Sequence, residues 1–152
     1  MENNELNERV NITASLEDYL EAIYQIIEEK KGVKAVEVSR RLGVGRSSVT
    51  EALKALASKN LVNYGRYDVI SLTALGEKIA QKVILKHQVL HTFLTDILCI
   101  PSDEAHENAC RIEHVISESV LKRFIKFIQF NQNVYKNNKQ YMEELNFYLK
   151  DQ

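Results

Sequence analysis

The chain contains one proline, five glycines, two cysteines and no tryptophan in 152 residues. So few breakers leave long stretches uninterrupted, and a mostly helical chain is expected. Two cysteines, Cys99 and Cys110, cannot build a disulfide framework, which points to reduced thiols and a cytoplasmic setting. No apolar run approaches the ~18 residues that a membrane span requires. The start, MENNELNERVN, is polar and acidic, unlike a secretory signal or an Arg-rich transit peptide. Internal repeats and low-complexity tracts are also missing. What remains is a 45% hydrophobic, 27% charged composition, enough for a core. The length suits one ordinary domain, or a small DNA-binding module fused to a small helical one.

A net charge of -1 conceals an uneven distribution. Residues 1–29 carry eight acidic side chains against Arg9 alone. Residues 30–59 carry eight basic ones against Glu37 and Glu51, a net of +6. A local basic block of this kind suits a polyanionic partner, although a solvated helical surface is the bland alternative. Spacing decides between them.

ASLEDYLEAIYQIIEEKKG has helical spacing, with Leu16, Tyr19, Leu20, Ile23, Tyr24 and Ile27 on one stripe. Ser15 with Asp18 three residues on suggests its N-cap, and Gly32 its end. Two short helices come next, near 35–42 and 46–58, joined by Gly43-Val44-Gly45. The first buries Val38 and Leu42, the second Val49, Leu53 and Leu56. Two helices about a short glycine turn make a helix-turn-helix. LVNYGRYDVISLT then turns extended around Gly65-Arg66-Tyr67-Asp68, a β-hairpin where a winged helix needs its wing. Short donors and a cation at the start of the second helix are what base edges and phosphates require, so Arg46, Ser47, Ser48 and Thr50 are its expected DNA contacts. Lys34, Arg40, Arg41 and Arg66 are the expected phosphate contacts.

Helical character returns from Thr73 to about Leu98. Another helix begins at Pro101-Ser102 and is expected to run to about Ser117, then SVLKRFIKFIQF forms one more. Phe124, Ile125, Phe127, Ile128 and Phe130 are too apolar for water and suit a core or a dimer interface. YMEELNFYL can close the chain as a helix. The fold expected is thus mainly α. Residues 1–72 would form an N-terminal winged helix-turn-helix, and residues 73–152 an all-helical domain.

All four histidines fall between residues 87 and 114. His87 and His91 are spaced i, i+4 and project from one face. His106, Cys110 and Glu113/His114 form a second stripe at i, i+4 and i+7/i+8. Imidazole, thiolate and carboxylate are the ligand types that first-row divalent metals accept. Asp18 and Glu21, at i, i+3 away from the apolar stripe of the first helix, offer harder oxygen ligands. Singly, each of these groups is more often a structural histidine or a solvated carboxylate. Cys99, in DILCI, is read as a small core hydrophobe.

ASLEDYLEAIY, RSSVTEALKAL, KHQVLHTFL and AHENACRIEHVIS together resemble the DtxR/MntR family of metal-dependent transcriptional repressors, over residues 13 to about 130. The Cys-x-x-Glu-His order of CRIEH is the most specific part and is similar to the iron-responsive branch, where manganese-responsive members have glutamate at the Cys110 position. The resemblance implies one metal site of Asp18, Cys110, Glu113 and His114. It implies a second of His87, His91 and His106, with a carboxylate such as Glu21. Asp18 and Glu21 follow the manganese-type pattern, whereas Cys110 and His106 follow the iron-type one. His91 replaces a carboxylate of iron-type members, and the chain is too short for their SH3-like third domain. Mn(II) or Fe(II) is the ion implied, with Zn(II) or Co(II) the alternatives. The implied activity is repression, by a homodimer that binds double-stranded operator DNA when metal ties its reading heads at a fixed spacing. Two rivals stay open: a winged-helix regulator answering a small organic effector, and a metal-dependent hydrolase, for which no catalytic motif is present.

Overall fold

The first helix begins two residues earlier than its sequence suggests. Thr13, in extended conformation, accepts a hydrogen bond from Leu16 N at 3.3 Å and caps α1 (Ala14–Glu29). Ser15 lies inside the helix instead, because Thr13 already meets one of the unpaired amides of the first turn. In this computed structural model, residues 10–30, 32–65 and 69–150 are described. They divide into two units, one up to Val83 and one from Ile84 onward.

In the first unit, α1 is succeeded by β1 (Val33–Lys34), α2 (Ala35–Leu42), α3 (Arg46–Ser58), β2 (Val62–Tyr64), β3 (Val69–Leu72) and the start of α4 (Ala74–Thr92). The turn between α2 and α3 rests on Gly43, whose φ of 66° lies in the left-handed region that a side chain disfavours. β2 and β3 are antiparallel, with Val62 opposite Leu72 and Tyr64 opposite Ile70. β1, too short to read from the sequence, pairs with the other edge of β3, giving the order β1-β3-β2. The tip of the wing, with Arg66, lies outside the described residues.

One continuous apolar cluster holds this unit together. Leu20, Ile23, Val33, Val38, Val49, Leu53, Leu56 and Leu61 are sealed from solvent. Each such burial contributes on the order of 2 kcal/mol. Leu42, expected inside, is only half-buried. Gly76 allows α4 to start hard against this cluster, since a Cβ there would meet the Leu61 carbonyl oxygen at 1.9 Å.

The second unit takes the remainder of α4, a π-helical turn (Phe93–Ile97), α5 (Ser102–Ile112), α6 (Glu118–Asn137) and α7 (Lys139–Lys150). The π turn widens the helix, and Leu98 N bonds Phe93 O at 3.2 Å. The residues beyond it are rotated, so Cys99 is exposed with φ 56° rather than buried as its apolar neighbours suggested. Its thiol donates to Asn146 Oδ1 at 2.9 Å. α5 stops at Ile112, five residues short of the expected end. Ser117 turns extended to cap α6, accepting from Val120 N, so 113–115 become turns. Val115 and Val120 are left exposed, as are Phe127 and Phe130 on α6.

Candidate metal centre and nucleic-acid interface

α4 presents His87 and His91 one helical turn apart, and α5 presents His106 and Cys110 in the same way. The two helices bring His87, His106 and Cys110 together, with one ligand atom from each within 4.8 Å of the others. His87 Nε2 lies 3.1 Å from His106 Nδ1, and the rings stand edge to face at 4.8 Å. Cys110 Sγ is 3.7 Å from His87 Nδ1 and 3.9 Å from His106 Nε2.

Beneath this group lies Glu113, only 1% exposed. A carboxylate so deep must be hydrogen-bonded to remain charged. Its Oε2 is 2.7 Å from His87 Nδ1 and its Oε1 is 3.4 Å from His114 Nε2. An ionised carboxylate only accepts, so His87 Nδ1 must carry a proton and donate it. For neutral rings, His87 Nε2 then accepts from His106 Nδ1–H, which leaves the His106 Nε2 lone pair toward Cys110. The hydrogen-bond network thus assigns one tautomer to each ring. Lys86, absent from the sequence reading, donates from Nζ to the Glu113 carbonyl at 3.0 Å and secures the end of α5.

The resemblance implied one site with Cys110, Glu113 and His114, and another with His87, His91 and His106. Within the second unit Cys110 lies with His87 and His106, and Glu113 keeps His114 beside it. His91 stands aside, its ring 6.2 Å from that of His87 and its Nε2 3.3 Å from Ser102 Oγ. Because α5 ends early, His114 leaves the helical stripe and reaches Glu113 from a turn. On α1, Asp18 and Glu21 are half-buried, and Glu21 accepts from Gln25 Nε2 at 2.9 Å. Two imidazoles and a thiol suit a borderline divalent metal. Bonds of roughly 2.0–2.3 Å put two donors on one ion up to about 4.6 Å apart, so the three nearly meet that requirement as they stand.

In the first unit, Arg46, Ser47 and Ser48 are exposed at the start of α3, whose cap is Gly45. Their backbone amides and side chains meet at a helix N-terminus, where phosphates bind readily. Thr50 is half-buried and its hydroxyl donates to Arg46 O at 3.0 Å. Lys34 and Arg40 are exposed. Arg41 is committed elsewhere: Nη2 lies 2.5 Å from Glu29 Oε2, and Nη1 donates to Gln25 at 3.3 Å. That bond holds the Glu29 carboxyl below its ordinary range and raises the guanidinium further. Glu37 is likewise lowered, by the Lys30 ammonium at 2.7 Å and by the Lys34 amide. Burial, with the nearby charges of Asp18 and Glu51, raises the Tyr19 phenol.

A winged helix-turn-helix followed along the chain by a helical unit with a nitrogen–sulfur donor cluster suits the class of metal-sensing DNA-binding regulators. Similarity to known proteins gives the family. Residues 11–70 match the iron-dependent repressor N-terminal DNA-binding domain, and residues 73–140 match the iron-dependent repressor metal-binding and dimerisation domain. The chain belongs to this iron-dependent repressor family. It is 36% identical over 119 residues to an uncharacterized HTH-type transcriptional regulator of Methanocaldococcus jannaschii, covering 78% of this chain and 95% of that one. It is 34% identical over 120 residues to the HTH-type transcriptional regulator MntR of Shouchella clausii, covering 79% and 83%. Among solved structures, the manganese regulator SloR superposes with a TM-score of 0.70 at 29% identity. IdeR of T. acidophilum does so with 0.68 at 28%. In both cases 78% of this chain is covered, and the chain spans 55% of the length of those solved proteins.

Proposed function

We propose that this protein is a metal-dependent transcriptional repressor that binds operator DNA as a homodimer when loaded with Mn(II) or Fe(II), and so controls genes of metal homeostasis. The observation that carries the reading is the meeting of His87, His106 and Cys110 over the buried Glu113. Among the described residues no helix is long and apolar enough to cross a membrane. The cytoplasm is the proposed location. Residues 1–72 are assigned to DNA binding, and residues 73–152 to metal binding and dimerisation.

His87, His106 and Cys110 are the residues that would hold the ion. A divalent cation supplies positive charge in place of the protons these groups otherwise share. Glu113 would position His87 by accepting a hydrogen bond from its Nδ1–H, which leaves Nε2 as the ligand atom. Cys110 gives up its thiol proton, which makes occupancy favour higher pH. His114 and His91, with Asp18 and Glu21, are assigned as further ligands on the pattern of the resemblance. Zn(II) and Co(II) suit the sulfur ligand; Asp18 and Glu21 favour the harder Mn(II).

Arg46, Ser47, Ser48 and Thr50 are proposed to read the major groove. Lys34, Arg40 and Arg66 are proposed on phosphates, and Arg41 once its bond to Glu29 opens. Two reading heads of a dimer must reach grooves about 34 Å apart, or a multiple of that. A bound ion that restricts their spacing lowers the ordering cost of binding, and DNA then tightens metal reciprocally.

The test is DNA binding with Mn(II), Fe(II), Zn(II) and Co(II), on a sequence selected from a random pool, under reducing conditions and at fixed salt. Metal-stimulated, chelator-reversible binding is expected. Binding indifferent to chelator would favour a regulator of another kind. Arg46→Ala should weaken DNA binding by about 10-fold, on the order of one lost base or phosphate contact, with metal uptake kept.

A further inference from the structure

A cavity of about 510 Å³ opens in the second unit, lined by Asp96, Ile97, Cys99, Asn131, Tyr135 and Asn146 among others. None of the metal-donor residues lines it. Its volume lies within the range of small-molecule sites. One wall residue is anomalous: Asn131 is 2% exposed, its amide donates to Phe127 O at 2.9 Å, and its Oδ1 is buried without a partner. Buried carbonyl oxygens are nearly always hydrogen-bonded, because desolvation otherwise goes uncompensated. A second irregularity borders the same space, where Cys99 is held left-handed with its thiol on Asn146.

We propose that this cavity is a site for a small organic ammonium with an apolar body. Asn131 Oδ1 is unmet and Asn146 Oδ1 keeps one lone pair beyond the Cys99 thiol, so both can accept from a ligand N–H. The carboxylate of Asp96 adds negative charge, and among the described residues no basic group lines the space. Ile97 and the Tyr135 ring offer apolar contact to the remainder. A ligand N–H at Asn131 would complete the one buried side-chain acceptor that the described residues leave unmet. Such a molecule would act on the metal-binding unit without competing for its ligands.

The experiment monitors the side-chain amide signals of Asn131 and Asn146 in the full chain while 2-phenylethylammonium is added, with neutral 2-phenylethanol as the matched control. Saturable shifts are expected for the ammonium, with affinity reduced at least about 10-fold for the alcohol. Asp96→Asn should remove that discrimination, and Asn131→Leu should remove binding. Should Asn131→Leu not fold, Tyr135→Ala, which opens the apolar wall, should weaken binding by a similar factor. Absence of saturation, equal binding of both probes, or binding untouched by these substitutions would overturn the proposal. So would the same shifts appearing on raising protein concentration alone, which would mean that a second copy covers the cavity.

Discussion

The two units solve the same problem unequally. The first is closed: its buried residues are apolar, and charged pairs such as Arg41 with Glu29 and Lys30 with Glu37 lie at the surface. The second keeps the two buried polar or charged side chains of the described residues, Glu113 and Asn131. It also leaves Phe127, Phe130, Phe147 and Tyr148 in solvent. A finished core needs no ligand to reach its stable form. A unit with a buried carboxylate under three ligand atoms, and aromatic rings outside, has stability still to gain from ion and partner. The first unit is therefore built closed, and the second is built with stability left to gain.

Leu53→Ala bears hardest on this contrast. It empties a sealed position of the first core and should lower stability by about 3 kcal/mol, within the usual range for such truncations. Denaturant unfolding monitored within the first unit should show the loss with and without Mn(II). Full rescue by metal would mean that the first core is not self-sufficient. His106→Ala should act oppositely, costing roughly 100-fold in metal-activated DNA affinity, about 2.7 kcal/mol, while metal-free stability hardly changes. An unaltered metal response in a gel-shift titration would remove His106 from the site.

Phe130→Ser should weaken self-association by about 10-fold, near 1.4 kcal/mol, with the unfolding of the dissociated chain unaffected. Sedimentation over a concentration series measures it, and an unchanged dimer would place the contact elsewhere. The smallest effect concerns acid. Glu29 and Glu37 have folded pKa values below the ordinary carboxylate value of 4.5, so their contribution is present above that pH and fades as pH falls through the lowered values. Glu37→Gln should slightly lower the thermal midpoint above pH 5, and the difference should shrink as pH falls through the lowered value, by calorimetry. Equal midpoints at neutral pH would show that the exposed pair contributes nothing.

The first unit was largely legible because its signals are local. Apolar spacing marked α1 and α3, and glycine marked the turn between α2 and α3. β1 escaped because two residues carry no periodicity, and Thr13 because Ser15 offered the same capping chemistry. In the second unit the residue types of the candidate centre were legible, and so was the pairing of His87 with His106, but the approach of His87 to Cys110 was not. Spacing along α5 put Cys110 in line with Glu113 and His114, yet the early stop at Ile112 and the facing α4 brought His87 to it instead. Cys99 misled because a π turn has no sequence mark here, and one widened turn changes which way every later side chain points.

Gly76 carries a genetic corollary. Every single-nucleotide missense change in a glycine codon adds at least one carbon, and the Leu61 carbonyl oxygen already occupies the place where that carbon would sit. Across randomised libraries selected for a folded first unit, that codon should accumulate synonymous changes only, marking an intolerant position outside the residues proposed for DNA and metal.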